Sequence, residues 1–259
     1  MNPDVTATPA ASGASSTTVL ERPVLELREV QAGYGSVPVV RSLDLSVERG
    51  TVLGLLGPNG AGKSTLMMTL AGLLPRLGGE VLVDGKPIAS GRPAVANRSG
   101  VVLVADDRAL FTSLSVKDNL AIARRKDGPT IDSVYDLFPV LGQRRKQLAG
   151  TLSGGEQQML AVARGLVQKP EVLLIDEMSM GLAPVIVEGL LPVVRRIADD
   201  TGAVVVLVEQ HVQLALEVCD RAVVLVHGEA VLRGEAADLA ADPAALEAAY
   251  LGNVADSPA

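Results

Sequence analysis

From Val24 onward the chain alternates short apolar runs with stretches of helical spacing. "VLELREV" (24–30) and "RSLDLSVERG" (41–50) alternate apolar and polar with period two, which predicts half-buried antiparallel strands. "TVLGLLG" (51–57) is apolar on both faces, as a buried parallel strand is. "STLMMTLAGLL" (64–74) predicts a helix, and "GEVLVDGKPI" (79–88) a strand that turns at Asp84-Gly85. Between about 106 and 168 the strand runs vanish and helical patterns dominate, punctuated by Gly128-Pro129 and Pro139. Buried strands resume after Lys169-Pro170 with "EVLLIDE" (171–177), "AVVVLVE" (203–209) and "RAVVLV" (221–226). The last turns through His227-Gly228-Glu229 into "AVLRGE", and Ala-rich helical sequence then runs to Tyr250. The pattern is an α/β core interrupted by a helical insert, with no internal repeat.

Composition narrows this picture. The 259 residues suffice for one large or two small units, and a net charge of −7 argues against nucleic acid or an anionic lipid surface as main partner. A single Cys permits no internal disulfide and fits a reducing compartment. Cys219 reads as core filler rather than nucleophile, and Met67 and Met68 read as core. Residues 1–22 are Ala, Ser, Thr and Pro with almost no apolar weight, so a disordered tail is expected, and a short polar tail at 253–259. The first segment lacks the basic start and apolar stretch of a signal peptide. The longest apolar runs are strand-length, far below the roughly 20 residues of a spanning helix, so a soluble chain is expected. The basic runs "ARRKD" (123–127) and "QRRKQ" (143–147) read as solvated helix faces.

"GPNGAGKST" (57–65) carries candidate chemistry. It satisfies G-x-x-x-x-G-K-[ST] through Gly57, Gly62, Lys63 and Ser64, with a predicted strand before it and a helix after it. Pro58, Asn59, Gly60, Ala61 and Thr65 complete a loop whose amides close around phosphate oxygens at a helix N-terminus. Lys63 reaches the β- and γ-phosphates of a nucleotide, and Ser64 holds Mg²⁺. A chance Gly-rich turn would not arrive with the whole pattern in this setting. "VLLIDE" adds Asp176 and Glu177 at the carboxyl end of a buried strand, where open α/β sheets bind ligands. Asp176 is expected to hold Mg²⁺ through water, and Glu177 to polarise the attacking water.

A second Gly-rich stretch, "TLSGGEQQ" (151–158), contains an S-x-x-E capping box that starts a helix. Glu156 tied back to the Ser153 N–H would leave Ser153 and the glycine amides free to face an anion. Taken with the phosphate loop and "LLIDE", this stretch makes the chain, from about Val24 to Gly252, resemble an ABC-transporter nucleotide-binding subunit. The resemblance implies a P-loop NTPase of the α/β class: an ABC ATPase domain over 24–252, with a RecA-like core, a small antiparallel β subdomain and an inserted helical subdomain. It implies ATP and Mg²⁺ as ligands, and a head-to-tail pair of cassettes, homo- or heterodimeric. Ser153, Gly154 and Gly155 then bind the nucleotide seated in the partner's phosphate loop. It also implies transmembrane permease subunits that dock on the helical insert, and a cytoplasmic location, peripheral on the inner face of the cell membrane.

Other positions follow from the resemblance. Tyr34 in "AGYGS" stands where the family stacks an aromatic on adenine. Asp106 stands where most cassettes place a Gln that senses Mg²⁺ and water. Met178 replaces the Pro that usually follows the catalytic Glu, and Ala183 an Asp that commonly crosses the dimer interface. In "VVLVEQHV" (205–212) the family's phosphate-sensing His falls on Gln210, with His211 one residue out of register. The signature region, the "VEQ" and the closing "AYLG" resemble the second ATPase subunit of branched-chain amino acid importers. An exporter ATPase, a slow clamp suggested by Asp106 and Met178, and a non-transport ABC ATPase stand as alternatives.

Overall fold

The computed structural model describes residues 22–209 and 211–250. The expected tails, residues 1–21 and 251–259, and the expected phosphate contact Gln210 lie outside the described residues. β1 (Leu25–Tyr34) and β2 (Val37–Val47) form an antiparallel hairpin that extends past both predicted strands at its turn, while β2 ends at Val47, short of the predicted Gly50. The register shifts between Leu27 and Val30, with Glu29 at φ 49. That bulge resets the alternation, so Leu25, Leu27, Val30 and Ala32 are all buried. β4 (Arg76–Val83) and β5 (Lys86–Pro87) complete a four-stranded sheet in the order β2-β1-β4-β5.

β3 (Val52–Leu56) belongs to a second sheet, which also contains β6 (Val101–Val104), β7 (Val172–Asp176), β8 (Val204–Val208), β9 (Arg221–Val226) and β10 (Glu229–Glu235). Its order is β10-β9-β3-β8-β7-β6, parallel except for the edge strand β10. Successive side chains face opposite layers. Val204, Val206 and Val208 of β8 pack toward the four-stranded sheet, and Val205 and Leu207 toward the helices on the far side. Leu55 pairs with Val208, and Val208 with Asp176, so the carboxyl ends of β3, β8 and β7 lie level. The candidate site sits along that edge.

α1 (Lys63–Leu70) follows β3 and stops short of the predicted end at Leu74, leaving Leu73 exposed. Met67 is fully buried, whereas Met68 is only half-buried, a partial correction to the core reading. α2 (Pro93–Arg98) precedes β6, a strand too short for its period to stand out in sequence. Between 106 and 168 come α3 (Val116–Ala123), α4 (Ile131–Leu137), α5 (Pro139–Gln143) and α6 (Gly154–Leu166). Their apolar faces share one core with α7 (Pro184–Thr201) and with Leu173 and Ile175 of β7. α8 (Val212–Val218), α9 (Ala236–Ala241) and α10 (Pro243–Tyr250) cover β9 and β10.

The basic runs are not helix faces. Arg124 caps the end of α3, and Arg125 turns inward to donate to Asn97, while 144–147 follow the end of α5. Cys219, at the end of α8, has its thiol pushed up to about 12 by burial, which fits inert filler. Among the described residues no helix is long and apolar enough to cross a membrane.

Candidate functional site

The phosphate loop leaves β3 at Gly57, whose φ of 139 is open to glycine and strained for other residues. Gly62, at φ 103, starts α1. Lys63 is 5% exposed, and its ammonium donates to the Gly57 carbonyl at 2.7 Å and to that of Pro58 at 3.0 Å. Burial pulls its pKa down, while the carboxylates of Glu177 and Asp176 pull it back up. The Ala61 N–H donates to the Pro58 carbonyl at 3.2 Å, and Thr65 is buried on the first turn of α1.

One tether was not foreseen from the sequence. The Gly57 N–H donates to the Tyr250 hydroxyl at 2.9 Å, across almost the whole chain. The "AYLG" ending stood out only as a mark of resemblance; its Tyr joins α10 to the start of the phosphate loop. Tyr250→Phe keeps the ring and leaves the Gly57 N–H without this partner. The expected loss is about 1–3 kcal/mol, read as a fall in Tm of roughly 2–4 °C per kcal/mol. An unchanged thermal melt would show that water replaces the phenol at no cost.

Asp176 ends β7 with its side chain 6% exposed, and its Oδ1 is buried without a hydrogen-bond partner. Burial raises its pKa; the Ser64 hydroxyl lowers it, Glu177 and Asp106 raise it further, and Lys63 lowers it. Ser64, Asp106 and Glu177 therefore all act on one buried carboxylate. An unpaired anionic oxygen beside a hydroxyl suits a hard cation that takes its remaining ligands from phosphate and water, as Mg²⁺ does. Among the described residues no group of three or more His, Cys, Asp or Glu forms a cage made of protein alone.

Asp106 is exposed in the turn after β6, its Oδ1 accepting the Asp107 N–H at 2.8 Å. Arg108 and Ala109 then adopt left-handed φ values of 63 and 45. Two arginines hold this unusual turn to α6. Arg108 donates to the side chains of Gln158 at 2.9 Å and Gln157 at 3.3 Å. Arg164 donates to the Ala109 carbonyl at 2.5 Å and lies 5.0 Å over the Phe111 ring. Nothing in the apolar pattern marks these arginines.

A cleft of about 520 Å³ brings Tyr34 together with Asn59, Gly60, Lys63, Ser64 and Glu177. Tyr34 is 52% exposed at the end of β1, so its ring is available as a platform. Glu177 is half-buried at φ 45, a left-handed conformation uncommon for Glu. Met178, at the Pro position, is fully buried and anchors the turn in the helical-side core. Ala183 caps the start of α7. A larger hollow, about 600 Å³ around Pro129, Leu166 and Pro170, contains no part of the phosphate loop.

Ser153 caps α6 through the predicted box. Its Oγ accepts the Glu156 N–H at 3.3 Å, and its own N–H donates to Glu156 Oε2 at 2.9 Å. The Ser153 hydroxyl also donates to Glu156 Oε2 at 2.9 Å, so it is engaged rather than left free as expected. The Ser153 N–H is the main cause of the lowered Glu156 pKa, and Arg144 pairs with the carboxylate at 3.2 Å. Ser153 and Gly154 are exposed, Gly155 is partly so, and none of them lines the cleft of the phosphate loop. His211, exposed, precedes α8.

A mostly parallel sheet with a phosphate loop at the end of a central strand, and paired carboxylates at the level end of the next strand but one, defines a phosphate-loop nucleotide hydrolase. The ABC transporter family model matches residues 40–180, and the chain belongs to that family as an ATPase subunit coupled to transport. It is 38% identical to the high-affinity branched-chain amino acid transport ATP-binding protein BraG of Pseudomonas aeruginosa, over 88% of this chain and 100% of that one. It is 36% identical to the Archaeoglobus fulgidus protein named "Probable branched-chain amino acid transport ATP-binding protein LivF", over 83% of this chain and 94% of that one. Its fold is similar to that of a nucleotide-free ATP-binding cassette from an ABC transporter, with TM-score 0.76 and 21% identity over 88% of this chain and 98% of that one.

Proposed function

We propose that this subunit powers import of branched-chain or related amino acids, as one of two cassettes that sandwich ATP on the cytoplasmic face of a permease. In this reading Lys63 and backbone N–H groups within 59–65 hold the β- and γ-phosphates, and Tyr34 stacks on the base. Ser64, Asp176 and Asp106 hold Mg²⁺, which supplies charge neutralisation at the phosphates. Glu177 orients the attacking water and accepts its proton, and Gln210 contacts the γ-phosphate. Ser153, Gly154 and Gly155 close over the nucleotide of the partner cassette. The amino-acid cargo is drawn from what the two relatives are named for, since the ATPase subunit does not itself touch cargo.

The observation that carries the paired arrangement is the separation of the two Gly-rich loops. The cleft that gathers Tyr34, the phosphate loop and Glu177 is not lined by residues 153–155, and Ser153 and Gly154 face solvent at the N-terminus of α6. An exposed helix N-terminus of this kind offers its glycine amides to an anion brought from outside the chain.

Phosphate release by the purified chain, compared with Lys63→Ala, tests the ATPase. Proteoliposomes holding its co-purifying permease, assayed for ATP-dependent leucine uptake, test the cargo. A rate no higher than that of Lys63→Ala would favour a clamp that does not turn over. Turnover without uptake would remove the amino-acid assignment alone.

A further inference from the structure

Glu209 has no place in the chemistry above, yet it is 1% exposed. It directly follows β8, whose last residue pairs with Asp176. Glu209 Oε1 accepts the Ser179 backbone N–H at 3.0 Å, and Oε2 accepts the Ser179 hydroxyl. A carboxylate is costly to bury unless its lone pairs are occupied. Ser179, itself 6% exposed, occupies one on each oxygen.

Ser179 lies two residues after Glu177, in the turn that joins β7 to α7. The turn holds Glu177 in the left-handed region, which a non-glycine residue keeps only where its surroundings enforce it. Three contacts do so: the Glu177 N–H donates to the Val208 carbonyl at 3.0 Å, Met178 is fully buried, and Ser179 is fastened to Glu209. The Met180 N–H also closes back on the Glu177 carbonyl at 3.1 Å. Of these fastenings, only Ser179–Glu209 is made by a charged side chain from a neighbouring strand end.

We propose that Glu209 is a positioning residue for hydrolysis, clamping Ser179 so that the Glu177 carboxylate stays aimed into the phosphate-loop cleft. The inference rests on the reading of Glu177 as the group that accepts the water's proton. The clamp acts by hydrogen-bond geometry rather than by charge. Glutamine in place of Glu209 can still accept the Ser179 N–H through its carbonyl. Its amide can donate to the Ser179 hydroxyl, which rotates to accept.

The test measures MgATP turnover and fluorescent ATP-analogue binding for the full chain and four variants, with thermal melts on each. Glu209→Ala is expected to lower kcat on the order of 10²-fold, the usual effect of a misplaced catalytic group, with analogue affinity unchanged. Glu209→Gln keeps kcat within about threefold, because both bonds to Ser179 can be remade. Ser179→Ala removes one of the two bonds, leaves a folded chain if Glu209→Ala does not, and lowers kcat about tenfold. The double variant Ser179→Ala/Glu209→Ala is no slower than Glu209→Ala, the non-additivity expected of two parts of one contact.

Wild-type kcat in Ser179→Ala and Glu209→Ala would overturn the proposal. A Glu209→Gln variant as slow as Glu209→Ala would also overturn it, by showing that charge is what matters. Glu177→Gln is measured alongside. If it turns over normally, the reading of Glu177 fails; if it is inactive while both clamp variants are normal, only the clamp fails.

Discussion

Glu177→Gln is expected to bind ATP as the unchanged chain does and to release phosphate on the order of 10²–10⁴ times more slowly, the usual consequence of losing a positioned general base. Glutamine fills the same volume in the half-buried turn after β7, so the cleft keeps its shape. Its amide cannot take the proton of an attacking water. With turnover blocked, two cassettes that share ATP should stay together, and size-exclusion chromatography in ATP should show a dimer. Adding Ser153→Arg should abolish it, because the exposed cap of α6 is the surface proposed above to meet the partner's nucleotide. That second change also removes a helix cap, worth about 1 kcal/mol, so a thermal melt must show that the chain remains folded. A Glu177→Gln chain that stays monomeric in saturating ATP would count against the shared nucleotide.

The elements that position the site were those whose pattern reflects burial. β3, β7 and β8 are apolar on both faces because both faces of the parallel sheet are covered, and "VLGLL", "VLLID" and "VVVLV" show it directly. β6 has only four residues, at the sheet's edge, and a run that short shows no period to distinguish strand from helix. The hairpin of β1 and β2 continues beyond the predicted strands because pairing from Ala32 to Tyr34 against Val37 to Val40 sustains it through glycine-rich sequence. Backbone pairing of that kind leaves little mark in residue type.

The placement of residues 57–65 and of Asp176–Glu177 could be read because it is local: each is a fixed spacing on one strand end and the turn after it. What escaped was the set of contacts that join distant segments. Tyr250 meets Gly57, Glu209 meets Ser179, and Arg108 and Arg164 hold the Asp106 turn to α6. Each is an ordinary polar side chain whose role exists only once the sheet order brings its partner near. "VEQ" drew notice as a mark of resemblance, and the burial of its Glu209 could not be read from that. The capping box was legible as a four-residue pattern, but the Ser153 hydroxyl bonding back to Glu156 depends on side-chain geometry that spacing leaves open.

Gly57→Ala is expected to be the most damaging single-methyl change in the phosphate loop. Two costs coincide there. At φ 139 an alanine sits outside the regions open to L residues, a strain of about 1–3 kcal/mol. Its Cβ would also lie 2.0 Å from the Leu225 carbonyl oxygen, and this obstacle is backbone of β9, held in the sheet by its pairing with β3. Relief requires either the strand or the loop to move. Moving the loop breaks the Gly57 N–H bond to Tyr250 and disturbs the carbonyl that receives Lys63. Gly60 is the matched control, in the same loop at φ 80, but with nothing within 4 Å of an added Cβ. Gly60→Ala should therefore cost only strain, about 1 kcal/mol, seen as a fall in Tm of roughly 2–4 °C without nucleotide. Gly57→Ala should cost several kcal/mol, a fall on the order of 10 °C or failure to fold. Equal melting temperatures for the two variants would mean that β9 yields to the methyl group, and that the glycine there serves the nucleotide rather than the fold.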